Sequence, residues 1–210
     1  MIKLEKLPEP APLARHKERW TTELLAAIAS GNADEIKRRK SKYNHADIKE
    51  QLKSETKGKC AYCESKVTVV AYGDIEHITP KSIKPELTFE WENLTFACQK
   101  CNGKKSTLED VVDPYSDDVD DHFFFVAEFI RGRTPIGRLT ERELELNRVE
   151  LIEDRCDHLK VLADTLETIA NEPNERIRTL TRDALISDLN SGKPEYIKMK
   201  RGILAGFAFD

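Results

Sequence analysis

The sequence predicts an α+β protein that is mainly helical, and three observations support that prediction. Both ends of the chain repeat apolar residues at the spacing of amphipathic helices. A short central stretch is instead rich in β-branched and aromatic residues, which is typical of strands. Two Cys-x-x-Cys pairs, Cys60/Cys63 and Cys98/Cys101, flank part of that stretch. Their spacing favours a shared metal ion over disulfides, so we expect a small metal-stapled core between helical ends.

The composition indicates a globular chain outside the membrane. The 210 residues are 39% hydrophobic, which is enough for a core, and 34% charged, which suits amphipathic helices. No stretch approaches the ~18 uninterrupted apolar residues of a membrane-spanning helix. The segment Met1–Glu5 mixes charged and apolar residues, unlike a signal peptide. We therefore expect a soluble, cytoplasmic protein whose cysteines stay reduced.

The net charge of -4 hides an asymmetry between the two halves of the chain. Residues 1–107 carry 20 lysines and arginines against 15 acidic residues, whereas residues 108–210 carry 14 against 23. A basic half and an acidic half suit different partners. An ordinary variation of charge among helix surfaces explains the counts equally well.

Three helices are predicted before the first cysteine pair. Apolar spacing begins the first at residue 13, and Gly31-Asn32 stops it. The second and third are predicted at 34–42 and 45–56. The second helix contains the basic run 37–40, which is either a solvated face or a phosphate contact. Residues 1–57 are therefore expected to form an N-terminal helical lead.

The central region, residues 58–107, is expected to form a compact core. A tight knuckle at Cys60 and Cys63 begins it, and an irregular loop anchored by Trp91 crosses its middle. Strands are predicted at 66–72, 74–78 and 94–97, and a helix at 99–107.

Residues 108–210 are expected to form a hairpin followed by a helical extension. The hairpin is predicted at 123–138, and Thr140 is expected to cap one long helix that reaches about residue 171. Further helices are predicted at 174–190 and just before residue 207. Cys156 lies in the long helical pattern and is expected to be a small buried hydrophobe.

The stretch Asp74–Lys81 carries the strongest functional signal. Glu76 directly precedes His77, and histidine is the side chain whose ordinary pKa suits a general base near neutral pH. Strand alternation places neighbouring side chains on opposite faces, so Glu76 and His77 converge only if the strand bends or twists. The four paired cysteines have the ligand type and spacing of one structural zinc site.

The order of knuckle, strand, loop, strand and helix resembles the HNH (ββα-metal) endonuclease family in its cysteine-bearing form. The matching motifs are Cys60-x2-Cys63, Asp74-Ile75-Glu76-His77-Ile78-x-Pro80, Asn93-Leu94 and Cys98-x2-Cys101-Asn102-x2-Lys105. They cover about 50 of the 210 residues, and it is their shared order that makes the resemblance specific.

The resemblance implies a zinc-stapled core in which His77 is the general base for hydrolysis of DNA phosphodiester bonds. It also implies that Glu76 and Asn102 hold a catalytic Mg²⁺ or Mn²⁺, since carboxylate and amide oxygens are hard ligands. Asn93 takes the family position that pins the loop. The resemblance also implies DNA-backbone contacts or supports of the metal ligands at three further residues: Asp74, Lys81 and Lys105.

A narrower resemblance extends over most of the chain. The helical lead, the 74–81 core, the Asp113-Pro114 step and the 144–148 helix look like the PtuB-type HNH proteins of Septu and retron antiphage systems. That family implies cleavage of DNA, expected to be double-stranded, and an ABC/SMC-like ATPase partner of the PtuA type. The acidic C-terminal half is compatible with docking on such a partner.

Two other functions stay open at this stage. A free-standing restriction or homing HNH nuclease would carry its own reader of DNA sequence, and no helix-turn-helix or extra zinc finger is visible. A zinc-stapled binding module without catalysis would need only the cysteines, whereas Glu76, His77 and Asn102 are all present.

Overall fold

The computed structural model describes residues 1–69 and 71–207. The described part is mainly helical with two small antiparallel sheets, which confirms the predicted fold class. The helices are α1 (Ala11–Ser30), α2 (Ala33–Lys40), α3 (Ala46–Thr56), α4 (Gln99–Lys105), α5 (Val119–His122), α6 (Pro135–Glu143), α7 (Val149–Asn171), α8 (Glu175–Asn190) and α9 (Ile197–Ala205). The strands are β1 (Asp74–His77), β2 (Leu94–Ala97), β3 (Phe123–Val126) and β4 (Phe129–Gly132).

The N-terminal helices form where the sequence predicts them. Helix α1 ends at Gly31, whose φ of 70° is the left-handed conformation that glycine adopts without strain. Helix α2 is capped by Asn32 and continues into a short 3₁₀ turn at Ser41–Tyr43. Helix α3 is capped by His45, whose side chain accepts a hydrogen bond from the Asp47 amide. The buried side of α1 includes Leu13 and Leu24, both fully enclosed.

Strands β1 and β2 form an antiparallel pair at the centre of the core. Ile75 lies opposite Phe96, and both are buried, as expected of a sheet packed on both faces. Gly73 directly precedes β1 and has a φ of 62°. A Cβ atom at this position would lie 2.2 Å from the Phe96 ring. The Gly73 position therefore admits no side chain, and the predicted break before β1 is confirmed.

The predicted strand at 66–72 is wrong. Residues Val67–Val69 form a 3₁₀ turn, and residue 70 lies outside the described part. Val69 and Tyr72 expose 72% and 89% of their surface, so neither of these two residues packs on a neighbouring strand in the described part of the chain. Strand propensity is realised only where such packing exists.

The C-terminal half begins with the predicted hairpin and then departs from prediction. Strands β3 and β4 pair antiparallel, with Phe125 opposite Ile130. The expected long helix capped by Thr140 is instead two helices, α6 and α7. Thr134 caps α6, and the helical conformation is interrupted before α7 at Glu145, whose φ is 47°. Thr140 lies inside α6, where its hydroxyl donates to the Ile136 carbonyl and accepts from a loop amide.

The buried residues join the parts of the molecule. One hydrophobic cluster runs from α1 and α3 through the β1–β2 pair to α7. Cys156 is half-buried in α7.

The division of the chain into three regions, with boundaries at residues 57/58 and 107/108, stays a prediction. Among the described helices, none combines the length and apolar character needed to cross a lipid bilayer.

Candidate functional site

The four cysteines of the two pairs converge on one point. Their Sγ atoms all lie within 4.8 Å of one another, and those of Cys63 and Cys98 are 3.9 Å apart. The knuckle after α3 supplies Cys60 and Cys63, whereas Cys98 caps the N-terminus of α4 and Cys101 lies in its first turn. All four thiols are free of disulfides. This set of soft ligands fits a tetrahedral zinc ion.

Hydrogen bonds around the thiols suit thiolate ligands. The Cys101 amide donates to the Cys98 sulfur at 3.4 Å, and the Ser65 hydroxyl lies 3.5 Å from the Cys63 sulfur. The Arg148 guanidinium lies 3.8 Å from the Cys101 sulfur. Positive charge beside a thiolate cluster offsets its negative charge, which favours the metal-bound form.

A segment near the C-terminal end of the described chain packs against the zinc knuckle. The residue Lys59 is 2% exposed, and its ammonium donates to the carbonyls of Gly192 at 2.6 Å and Pro194 at 2.8 Å. The Ser65 hydroxyl bonds the Tyr196 hydroxyl at 2.8 Å. We call residues 192–197 the knuckle clamp.

His77, at the end of β1, is 3% exposed and held in one orientation. Its Nε2 atom lies 3.0 Å from the Thr88 carbonyl oxygen, so Nε2 carries the proton that donates to that oxygen. The Nδ1 atom is buried and has no hydrogen-bond partner among the described residues. Burial first, and the nearby charge of Lys81 second, lower the His77 pKa to about 3. The imidazole is therefore neutral at pH 7, with its lone pair on Nδ1.

Two further side chains, those of Tyr43 and Lys81, lie beside the imidazole. The Tyr43 ring contacts the His77 ring edge-on, with centroids 4.6 Å apart and an interplanar angle of 89°. Lys81 donates from Nζ to the Tyr43 hydroxyl at 3.0 Å. Tyr43 was missed because it lies 34 positions away from His77 in the chain, outside every motif.

Glu76 turns away from His77 and towards α4. Its Oε1 atom pairs with the Lys105 ammonium at 3.1 Å, and that ammonium also donates to the His77 carbonyl at 2.8 Å. Burial raises the Glu76 pKa, and the Lys105 charge opposes that shift. Lys105 is fully buried, so of its two predicted roles, the geometry supports an internal one rather than contact with DNA.

A hydrogen bond joins Asn102 of α4 to Asp74 of β1. The Asn102 amide nitrogen donates to the Asp74 carboxylate at 3.0 Å, which leaves the amide oxygen available as a ligand. Asp74 and Glu76 are two residues apart on β1 and therefore share a face of the strand. The arrangement thus brings carboxylate and amide oxygens to the contact between β1 and α4. That donor set fits a hard cation such as Mg²⁺ or Mn²⁺.

Asn93 fastens the loop between the two strands. Its Oδ1 atom accepts from the Thr79 amide at 2.7 Å, and its Nδ2 atom donates to the carbonyls of Thr79 at 3.0 Å and Leu87 at 3.1 Å. Thr88, which orients His77, directly follows Leu87. Asn93 therefore holds the loop that sets the orientation of the imidazole.

Known proteins resemble this chain in two ways. Residues 60–108 match the model of the HNH endonuclease family, and this range contains every site residue that the sequence predicts. The chain is similar to "Septu protein PtuB" of Bacillus thuringiensis, with 30% identity over 176 residues that cover 80% of this chain and 63% of that protein. It is also similar to "Septu protein PtuB" of Bacillus mycoides (strain KBAB4), with 30% identity over 196 residues that cover 74% and 66%. The chain thus spans slightly less than two thirds of each relative.

Proposed function

We propose, on the premise that residues 60–108 carry an HNH endonuclease domain, that this chain is a divalent-metal-dependent endonuclease that hydrolyses phosphodiester bonds of double-stranded DNA. The observation that supports it most is the state of His77. The imidazole is neutral, Nε2 is fixed by a carbonyl, and Nδ1 has no partner among the described groups. A structural histidine normally uses both nitrogens when buried, so an unused lone pair suggests a reactive role.

In the proposed reaction, His77 accepts a proton at Nδ1 from the water that attacks phosphorus. The Thr88 carbonyl stabilises the resulting imidazolium through its hydrogen bond with Nε2–H. A histidine with a pKa of about 3 is a weak base in the free protein. A phosphodiester anion close to the ring raises that pKa, because negative charge favours the protonated form.

The metal ligands proposed are Glu76 and Asn102. A bound Mg²⁺ or Mn²⁺ would stabilise negative charge on the phosphate and on the leaving 3′ oxygen. Asp74 orients the Asn102 amide by accepting from its nitrogen, so that the amide oxygen is the free end. Lys105 supplies positive charge beside the buried Glu76 carboxylate, which opposes the rise in the Glu76 pKa that burial causes.

We further propose that the chain acts in antiphage defence with an ABC/SMC-like ATPase of the PtuA type. Support comes from its similarity to two proteins named Septu protein PtuB. The acidic surplus of residues 108–210 is unfavourable for binding DNA and suits a protein partner. The proposed docking surface is the helical C-terminal half.

The test is cleavage of supercoiled plasmid by the purified chain, with Mg²⁺, with Mn²⁺ and without either, in the presence and absence of the partner ATPase. His77→Ala should abolish cleavage and retain its zinc content, whereas His16→Ala, at a histidine away from the site, should cut like the wild type. Equal cleavage by His77→Ala and the wild type would exclude His77 as the base. A wild type that binds zinc but never cuts, even with the partner, would favour a binding module without catalysis.

A further inference from the structure

In the described conformation, the Nδ1 atom of His77, on which the proposed reaction depends, is inaccessible to solvent. The Nδ1 atom of His77 is buried and accepts no hydrogen bond in the part of the chain that the structure covers. Water must approach that atom within hydrogen-bonding distance to lose its proton there. Some group beside the imidazole must therefore move before the reaction.

Tyr43 is the group whose position allows such a movement. It ends a short 3₁₀ turn after α2 and is half-buried, so the residue that contacts the buried imidazole also reaches the surface. Its ring contacts His77 edge-on with centroids 4.6 Å apart. The following residue, Asn44, is exposed, so the turn meets solvent on that side, whereas the Tyr43 side chain packs against the hydrophobic core.

Lys81 holds the Tyr43 ring in place through weak contacts. Its ammonium donates to the Tyr43 hydroxyl at 3.0 Å and lies 4.7 Å from the centre of the ring. No carboxylate forms an ion pair with Lys81 within residues 1–69 and 71–207. A phosphate oxyanion is a stronger acceptor for an ammonium group than a neutral phenol is. A DNA phosphate at this point would therefore draw Lys81 away from Tyr43.

The charge of the neighbouring segment favours the same ligand. Five basic residues lie between positions 37 and 42, immediately before Tyr43. Glu23 and Glu35 pair with Arg38, Arg39 and Lys42. The segment still has more positive than negative charges, and it lies directly beside the turn that carries Tyr43.

We propose that Tyr43 is a positioning residue that shields His77, and that Lys81 is a phosphate-binding residue that releases this shield when DNA binds. This inference rests on the proposed function and adds two residues to it. Lys81 passes from the phenol to a phosphate of the backbone, the Tyr43 ring leaves the imidazole, and water reaches Nδ1. The pair thereby couples access to the base to the presence of the substrate.

The shielding role is tested without catalysis, by reacting the zinc-loaded protein with diethyl pyrocarbonate and quantifying modified His77 by peptide mass spectrometry. His16 in the same sample normalises the reagent. Tyr43→Ala should raise the reactivity of His77 at least ~10-fold, since a locally closed group reacts only when it opens. Tyr43→Phe keeps the ring and loses the hydroxyl, so a smaller rise is expected. Unchanged reactivity in both variants overturns the shield, and Tyr43→Phe decides the matter if Tyr43→Ala does not fold.

The phosphate-binding role is tested by the salt dependence of binding to a 20-base-pair DNA duplex, measured by fluorescence anisotropy without added divalent metal. Lys81→Met should reduce the slope of log affinity against log salt by about 0.9, the value for one phosphate contact. Lys84→Met, at an exposed lysine three positions away, is the matched control. An unchanged slope in Lys81→Met, or an equal reduction in Lys84→Met, overturns the role.

The outcomes separate this inference from the proposed function. If plasmid is cut in a His77-dependent manner but Tyr43 variants leave His77 unreactive, the nuclease stands and the shield is wrong. If His77 becomes reactive in Tyr43→Ala and Lys81→Met binds DNA with a reduced salt slope while no condition yields cleavage, the shield stands and the nuclease proposal fails.

Discussion

Lys105 is bonded to both residues of the Glu76-His77 pair, although the two side chains point in different directions. Its buried ammonium pairs with the Glu76 carboxylate at 3.1 Å and donates to the His77 carbonyl at 2.8 Å. Lys105 ends α4, the helix that Cys98 caps and whose first turn contains Cys101. The cysteine cluster thus lies at one end of this helix, and Lys105 links the other end to β1.

Replacing Lys105 with methionine should strongly destabilise the protein. The variant keeps the length of the side chain but leaves the Glu76 carboxylate, with 8% of its side chain exposed, without its partner. Breaking a buried ion pair in this way costs about 3–5 kcal/mol. Urea unfolding of the zinc-loaded protein measures the change. Lys104→Met is the control, because its pair with Glu145 is about half exposed and should contribute less than ~1 kcal/mol. Equal losses in the two variants would contradict the role of Lys105.

Replacing Cys98 with serine should remove zinc and unfold the centre. The cluster needs four soft ligands, and binding of structural zinc contributes directly to folding. Metal analysis and circular dichroism are the measurements. Cys156→Ser is the matched control, since this half-buried thiol of α7 lies outside the cluster. Retention of one zinc per chain and of the native spectrum in Cys98→Ser would show that the cluster is not the zinc site.

The buried His77 should make the protein sensitive to mild acid. Its pKa is about 3 in the folded protein against an ordinary 6.5, so the unfolded state binds a proton first as pH falls. Stability is complete above pH ~6.5 and should decrease below it, by about 2 kcal/mol at pH 5 for this group. Urea unfolding at pH 7 and pH 5, without added Mg²⁺ or Mn²⁺, measures the loss.

The comparison for that prediction is His77→Gln, which cannot titrate in this range. Acid also weakens thiolate binding to zinc, and this effect is common to both proteins. The wild type should therefore lose about 2 kcal/mol more than the variant between pH 7 and pH 5. Parallel losses would mean that His77 gains a proton in the folded state as readily as in the unfolded state.

Replacing Asn93 with alanine should loosen the loop that orients His77. The change removes one acceptor and two donors, and it leaves the amide and carbonyl of Thr79 without these partners. Each buried group left unsatisfied costs about 1–3 kcal/mol. Hydrogen exchange should accelerate in residues 79–88, whereas Asn171→Ala, at an exposed position, should leave that segment unchanged. Protection equal to the wild type would show that other contacts hold the loop.

Much of the fold follows from local sequence patterns. The helices α1, α3 and α8 and the strand β2 form at or within two residues of their predicted ends, because capping residues and apolar spacing act within a few positions. The convergence of the four cysteines was predicted equally well, since two Cys-x-x-Cys pairs are typical of one shared site. The errors at 66–72 and at Thr140 share a cause. A segment rich in β-branched residues forms a strand only if a neighbouring strand is present. Contacts with distant residues likewise decide whether a threonine caps a helix or lies within it.

The site was predictable in its residue types but not in its contacts. His77, Glu76, Asn93 and Asn102 were named from their motifs, and their roles stay predictions. The burial of Lys105 was not foreseen, because a lysine near a helix end is usually exposed. The contact of Tyr43 with His77 joins two segments that no local pattern relates.

The knuckle clamp also affects the order in which the protein folds during synthesis. Lys59 and Ser65 find their partners at Gly192, Pro194 and Tyr196, about 130 residues later in the chain. The zinc ligands leave the ribosome long before those partners do. A nascent chain can therefore bind metal early, while the ammonium of Lys59 still lacks its acceptors. The packing around the cysteine knuckle is complete only after residue 196 has been synthesised. A prematurely terminated product should therefore have an incompletely packed knuckle.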